Sequence, residues 1–100
     1  MAKVSAKTNN FLKEAKKNTS TKIYSLLVDL VNEDRMDLAE SVLKVDYLLE
    51  YTSSSIKQHD YEEAKESLSR ARTRIDSLKK EGADTSYLDY LYEGIAKKAK

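Results

Sequence analysis

The chain has no cysteine, no proline and no tryptophan, and its 100 residues include only two glycines, one histidine and one phenylalanine. Each scarcity excludes something. Without cysteine there is no disulfide, no thiolate metal site and no cysteine nucleophile, so a disulfide-stapled secreted scaffold is ruled out and a reducing, cytoplasmic setting is expected. With no proline and two glycines there is too little turn material for many short strands, which leaves long helices. The N-terminal stretch MAKVSAKTNNFLKEAKKN is lysine-rich but has no apolar run of signal-peptide length, and no later segment approaches a membrane span. A soluble chain with no membrane partner is the expectation.

What is present is charge and helical periodicity. Net charge is only +1, yet it is unevenly spread. Residues 1–22 carry six lysines and one glutamate, net +5; residues 29–66 carry eleven acids and four bases, net −7; residues 67–100 carry eight bases and five acids, net +3. Two basic ends around an acidic middle suit helices that attract one another, and they also suit basic arms that touch nucleic acid.

Apolar residues recur at intervals of three and four throughout, which predicts an all-α fold: an up-down helical bundle of three long helices plus a shorter C-terminal helix. One domain over residues 8–98, preceded by a basic tail over residues 1–7, is expected from this length. The first helix is predicted from about Thr8 to Asn32, although NTST at Asn18–Thr21 joins four poor helix formers that also favour caps. The segment IYSLLVDLV leaves only Ser25 and Asp29 clearly facing out. The second helix, from about Asp34 to Gln58, has a main stripe of Leu38, Val42, Val45, Leu49 and Ile56. A second stripe, Met36, Leu43, Tyr47 and Tyr51, lies on another face.

The third helix has a narrow seam, Tyr61, Ala64, Leu68, Ala71, Ile75 and Leu78, with Asp60 as N-cap, Lys79 and Lys80 in its last turn and Gly82 as its stop. Ser67 falls off this seam, so its truncation is expected to be nearly silent. Turns are predicted at Glu33–Arg35, His59–Asp60 and Glu81–Asp84. The segment KQHDYEEAKESLSRA, Lys57–Ala71, resembles the helix-turn-helix of a tetratricopeptide repeat, with Ala64, Leu68 and Ala71 at that family's packing positions. His59 stands where the family usually has a turn glycine and there is no second full copy, so the resemblance implies a tight helical hairpin and carries no function.

Candidate chemistry is sparse. His59 has one carboxylate, Glu63, at helical spacing and reads as a polar turn residue rather than a metal ligand or general base. Asp60, Glu62, Glu63 and Glu66 are acids favoured by a helix N-terminus. No Glu-x-x-His pair supports a di-metal site, so neither metal nor cofactor is expected, and no small-molecule substrate. SRARTRID is the most nucleic-acid-like stretch, but its arginines split between two faces. Lys65, Arg72 and Lys79 form a basic line for which Asp46 and Glu50 on the second helix are the expected partners. Glu66–Arg70 and Asp76–Lys80 are expected ion pairs.

SYLDYLYEG, Ser86–Gly94, holds three of the seven tyrosines. With Ser86 as N-cap, Leu88, Leu91 and Ile95 make the core face, Tyr87 and Tyr92 flank it, and Tyr90 points away beside Gly94 and Lys97. An Asp at Leu91 is expected to destabilise the whole domain. The function expected from these features is a non-catalytic interaction module, a small subunit or adaptor of a larger assembly. Its protein partner would meet Tyr90, Tyr47, Tyr51, Leu43 and Met36. The alternative is an accessory subunit of a DNA- or RNA-processing enzyme, for example a replication polymerase. Phosphates would then meet Lys13, Lys16, Lys17, Lys65, Arg72, Lys79, Lys97 and Lys98.

Overall fold

The computed structural model describes residues 6–99, and side chains from Asn10 onward. The protein is all-α. Its elements, among the described residues, are α1 (Ala6–Asn18), α2 (Thr21–Asn32), α3 (Met36–Lys57), α4 (Tyr61–Lys80) and α5 (Ser86–Lys98), with no strand. The expected tail lies outside the described residues apart from Ala6 and Lys7, which are already helical. The helices fall into two compact units divided between Leu43 and Lys44, with α3 running through the division.

In the first unit, the single helix expected over residues 8–32 is two. The Thr19 hydroxyl and backbone N–H both donate to the Ala15 carbonyl, at 2.7 and 2.9 Å, and end α1. Ser20 then adopts extended backbone (φ −71°, ψ 164°) and its hydroxyl accepts from the Ile23 N–H at 3.3 Å, starting α2. Four consecutive polar residues thus gave the backbone other partners than its own helix, and the chain breaks there. Ala15, Ile23, Leu27, Leu30, Leu38, Ala39 and Val42 are buried in this part of the chain, while Ser25 and Asp29 are exposed as expected.

All three predicted turns are present and close in the same way. Arg35 N–H donates to the Leu30 carbonyl at 2.9 Å, Asp60 N–H to Ser55 at 2.8 Å and Ala83 N–H to Leu78 at 3.0 Å, each reaching back five residues. The residue before the donor is left-handed in each: Asp34 (φ 63°), His59 (φ 61°) and Gly82 (φ 84°). This is the Schellman stop, which glycine adopts freely and which costs a residue with a Cβ about 1–2 kcal/mol. His59 therefore serves the turn, with its Nδ1 3.4 Å from the Tyr61 hydroxyl.

In the second unit, α3 from Lys44 onward, α4 and α5 follow one another through short turns. Val45, Leu49, Ala64, Leu68, Ala71, Ile75, Leu78 and Leu88 are buried. The α4 seam is as predicted except at its start, where Tyr61 is 39% exposed. The α3 stripe departs from expectation at its C-terminal end: Thr52 and Ser55 are buried and Ile56 is only half-buried. The reason lies across the interface. The Thr52 and Ser67 hydroxyls are 2.6 Å apart, and each also lies within hydrogen-bond distance of a carbonyl of its own helix, Leu48 at 2.8 Å for Thr52 and Ala64 at 3.1 Å for Ser67. Paired hydroxyls bury without leaving an unsatisfied donor, so polar residues occupy core positions here. Ser67 is accordingly a buried contact of α4, contrary to the silent role expected for it.

The start of α5 also differs from expectation. Thr85 holds the cap position, and the Ser86 N–H and hydroxyl donate to the Asp84 carboxylate at 3.0 and 2.7 Å, which holds the Asp84 carboxyl below its ordinary range. Thr85 donates to Asp89 rather than capping a backbone N–H. Of the expected core face of α5, Leu88 is buried and Leu91 and Ile95 are half-buried.

Candidate functional site

The strongest candidate lies within the second unit, on the outward side of the α3–α4 hairpin. Tyr47 and Tyr51 are one helical turn apart on α3 and stay 65% and 40% exposed. With Leu48 they form one wall of an open groove of about 300 Å³, and Glu63, Glu66 and Arg70 on α4 form the other, with Ser67 at its floor. The placement follows from the hairpin. Tight closure at His59 sets α4 back along α3, so that Thr52 and Ser67 meet in the interface and residues one or two positions off each seam border the groove. Ser67, which lines the groove, is thus held by its contact with Thr52.

The groove is acidic. Arg70 pairs with Glu66 at 2.8 Å, as expected, but Glu63 has no cation within ion-pair distance among the described residues. Partial burial of its ring, and then the Glu63 carboxylate it hydrogen-bonds, push the Tyr51 phenol above its ordinary pKa. On α3, burial pushes the Asp46 carboxyl up to about 6, with a further contribution from the Glu50 charge one turn away. Both shifts have the sign of uncompensated negative charge and desolvation.

The remaining candidate residues are dispersed. Met36 and Leu43 are half-buried, on the first-unit side of the division in α3. Tyr90 is 73% exposed, as expected, and its ring stacks on that of Tyr87, with centroids 6.2 Å apart. Beside it, a methyl group added at Gly94 would meet open space, so no packing requirement explains that glycine.

Of the basic line, Lys65 is exposed, whereas Arg72 and Lys79 face α5. Arg72 lies 2.8 Å from Asp76, 3.6 Å from Asp89 and over the Tyr92 ring at 5.1 Å, and Lys79 lies 3.2 Å from Asp89. The partner of these two cations is thus Asp89 of α5 and not the Asp46 and Glu50 edge of α3. Asp76 pairs with Arg72 and not with Lys80. Asp76, and more weakly Asp89, hold the Arg72 guanidinium above its ordinary pKa. Lys13, Lys16, Lys17, Lys97 and Lys98 are exposed, with Lys17 4.0 Å from Glu14.

Sequence reasoning found the two groove tyrosines but not the α4 wall. Glu63, Glu66 and Arg70 recur at three and four beside the seam, and that spacing could have marked them as one face. Asp89 carried no such signal, because its partners are on another helix. No group of three His, Cys, Asp or Glu residues placed to hold a metal ion occurs among the described residues. None of their helices is long and apolar enough to cross a membrane. No protein family, curated protein or solved structure matches the chain.

Proposed function

We propose that the protein is a non-catalytic helical interaction module, a small cytoplasmic subunit or adaptor of a larger assembly, and that a protein partner docks in the Tyr47–Tyr51 groove. The observation that carries this reading is the exposure of two tyrosines, one turn apart, along a groove lined by Ser67, whose hydroxyl is paired with Thr52. An aromatic ring left in water forgoes burial worth kilocalories, and tyrosine is among the residues enriched at the energetic centres of protein interfaces. Tyr90, on α5, offers a second and smaller contact.

Capture of partners from the source cell by wild-type protein, followed by titration of the identified partner against Tyr47→Ala and Tyr51→Ala, tests this. The expected result is a loss of about tenfold or more in affinity for each variant with unfolding unchanged. Full affinity in both variants would remove the groove as the docking site.

One observation favours the second reading, an accessory subunit of a DNA- or RNA-processing enzyme: Lys13, Lys16 and Lys17 are exposed at spacings of three and four on α1. Arg72 and Lys79, by contrast, are engaged by Asp89. Direct phosphate contact by α1 gives binding to a generic single strand or duplex that falls steeply with salt, with a slope flattened by charge reversal at the three lysines. Absence of binding at low salt removes that direct form.

A further inference from the structure

The groove and α1 are complementary in charge. On the groove side, the one lining cation, Arg70, is already paired with Glu66, and Glu63 is left without a cation among the described residues. On the α1 side, Lys13 and Lys16 have no ion pair among the described residues. Lys17 has only Glu14 at 4.0 Å, with both side chains about two-thirds exposed. Lysine stems are long enough to lie along tyrosine rings while their ammonium groups reach carboxylates, and an ammonium over a tyrosine face gains a cation–π term as well.

We propose that the groove receives the basic face of α1 from a second copy of the chain. This rests on the reading of the groove as a docking surface and names its occupant. A second copy is favoured over an unrelated basic protein because every molecule carries both halves of the contact in equal number, and because the chain's net charge of +1 gives its copies almost no long-range repulsion.

Charge exchange between two variants provides the test. Full-length wild-type protein is followed by sedimentation at rising concentration in about 0.01 M and about 1 M salt, between which the Debye length falls from about 30 to about 3 Å. Association at low salt, lost at high salt, is expected. Glu63→Lys/Glu66→Lys and Lys13→Glu/Lys16→Glu/Lys17→Glu are each expected to be monomeric. An equimolar mixture of the two is expected to associate again, because each reversed surface then meets its complement on the other variant. Tyr47→Ala, which changes no charge and removes an exposed ring, is expected to weaken wild-type association several-fold, and it keeps the test decisive should a triple or double reversal misfold.

A wild-type protein that stays monomeric at low salt, or association that survives Tyr47→Ala and both reversals, overturns the proposal. A monomeric wild type whose captured partner still loses affinity on Tyr47→Ala would sink the second copy as occupant and leave the groove as a docking site. Retained partner affinity would sink the groove itself.

Discussion

Two helix contacts within the second unit, α3 with α4 and α4 with α5, are built from different materials. α4 buries six residues, including Ala64, Ala71 and Ile75, and its contact with α3 closes around the Thr52–Ser67 hydroxyl pair. α5 fully buries a single helix residue, Leu88, and its contact with α4 includes Asp89 between Arg72 and Lys79 and Tyr92 beneath the Arg72 guanidinium. α4 also has a side-chain cap at Asp60, which accepts from the Glu63 N–H, whereas α5 has none. Apolar burial is insensitive to salt, while charge pairs at partly exposed positions are weak and screened. The difference therefore predicts a firm α3–α4 hairpin and an α5 that opens more readily.

The widest separation is expected from truncating apolar residues of α4 and α5. Ile75→Ala should lower unfolding stability by about 2–5 kcal/mol, because Ile75 is fully buried. Leu91→Ala, at a partly exposed position of α5, should cost less, about 1–2 kcal/mol. Chemical denaturation of both variants decides it, and equal losses would break the comparison.

Ser67→Ala should cost about 1 kcal/mol, since it removes one partner of a buried hydroxyl pair while Thr52 keeps the Leu48 carbonyl. A silent substitution would mean that shape alone, without the hydroxyl pair, holds the α3–α4 contact.

The third prediction concerns pH. Asp46, on α3, has its carboxyl pushed up from 3.8 to about 6, by burial first and then by Glu50. Between those values the folded chain holds a proton that the unfolded chain has released. The resulting stability is fully present below about pH 3.8 and is lost as pH rises through about 6. Asp46→Asn should therefore flatten the pH dependence of stability in that window and raise stability near neutral pH. After allowance for solvent screening at a half-exposed group, the gain is about 1 kcal/mol. An unchanged slope between pH 4 and 7, measured by thermal unfolding at ~0.1 M salt, would show that the carboxylate is fully solvated.

The smallest global effect is expected at the α5 clasp. Asp89→Asn should change overall stability by less than about 1 kcal/mol, because its partners Arg72 and Lys79 are each about a third or more exposed. It should nevertheless speed amide exchange in Ser86–Lys98 more than in Tyr61–Lys80, and added salt should act on the wild type in the same direction. Equal acceleration in both helices would mean that they open as one unit.

Much of this architecture was legible in the residues. The α4 seam, the Asp60 cap and the three turns were readable because each is a local matter: a spacing of three and four, a short polar side chain before a helix, a residue able to turn left-handed. The division of the first helix was half legible. NTST announced competing hydrogen bonds, but the alignment of Leu12, Ala15 and Thr19 with Ile23 and Leu26 argued for continuity, and the Thr19 and Ser20 side chains decided against it. Of the candidate site, Tyr47 and Tyr51 could be found as one stripe, whereas the opposite wall could not.

The sequence by itself determined that the chain is all-helical, where most helices begin and end, and that its charge is split between basic ends and an acidic middle, since backbone preference and periodicity act within a few residues. The tertiary structure alone decided which polar groups meet across helices: Thr52 with Ser67, Asp89 with Arg72 and Lys79, and the tyrosines of α3 with the glutamates of α4. Those pairings depend on the rotation and axial offset of each helix against its neighbour. A rotation of one residue, about 100°, moves a side chain from the core to the groove, and nothing in the spacing along a single helix sets that angle.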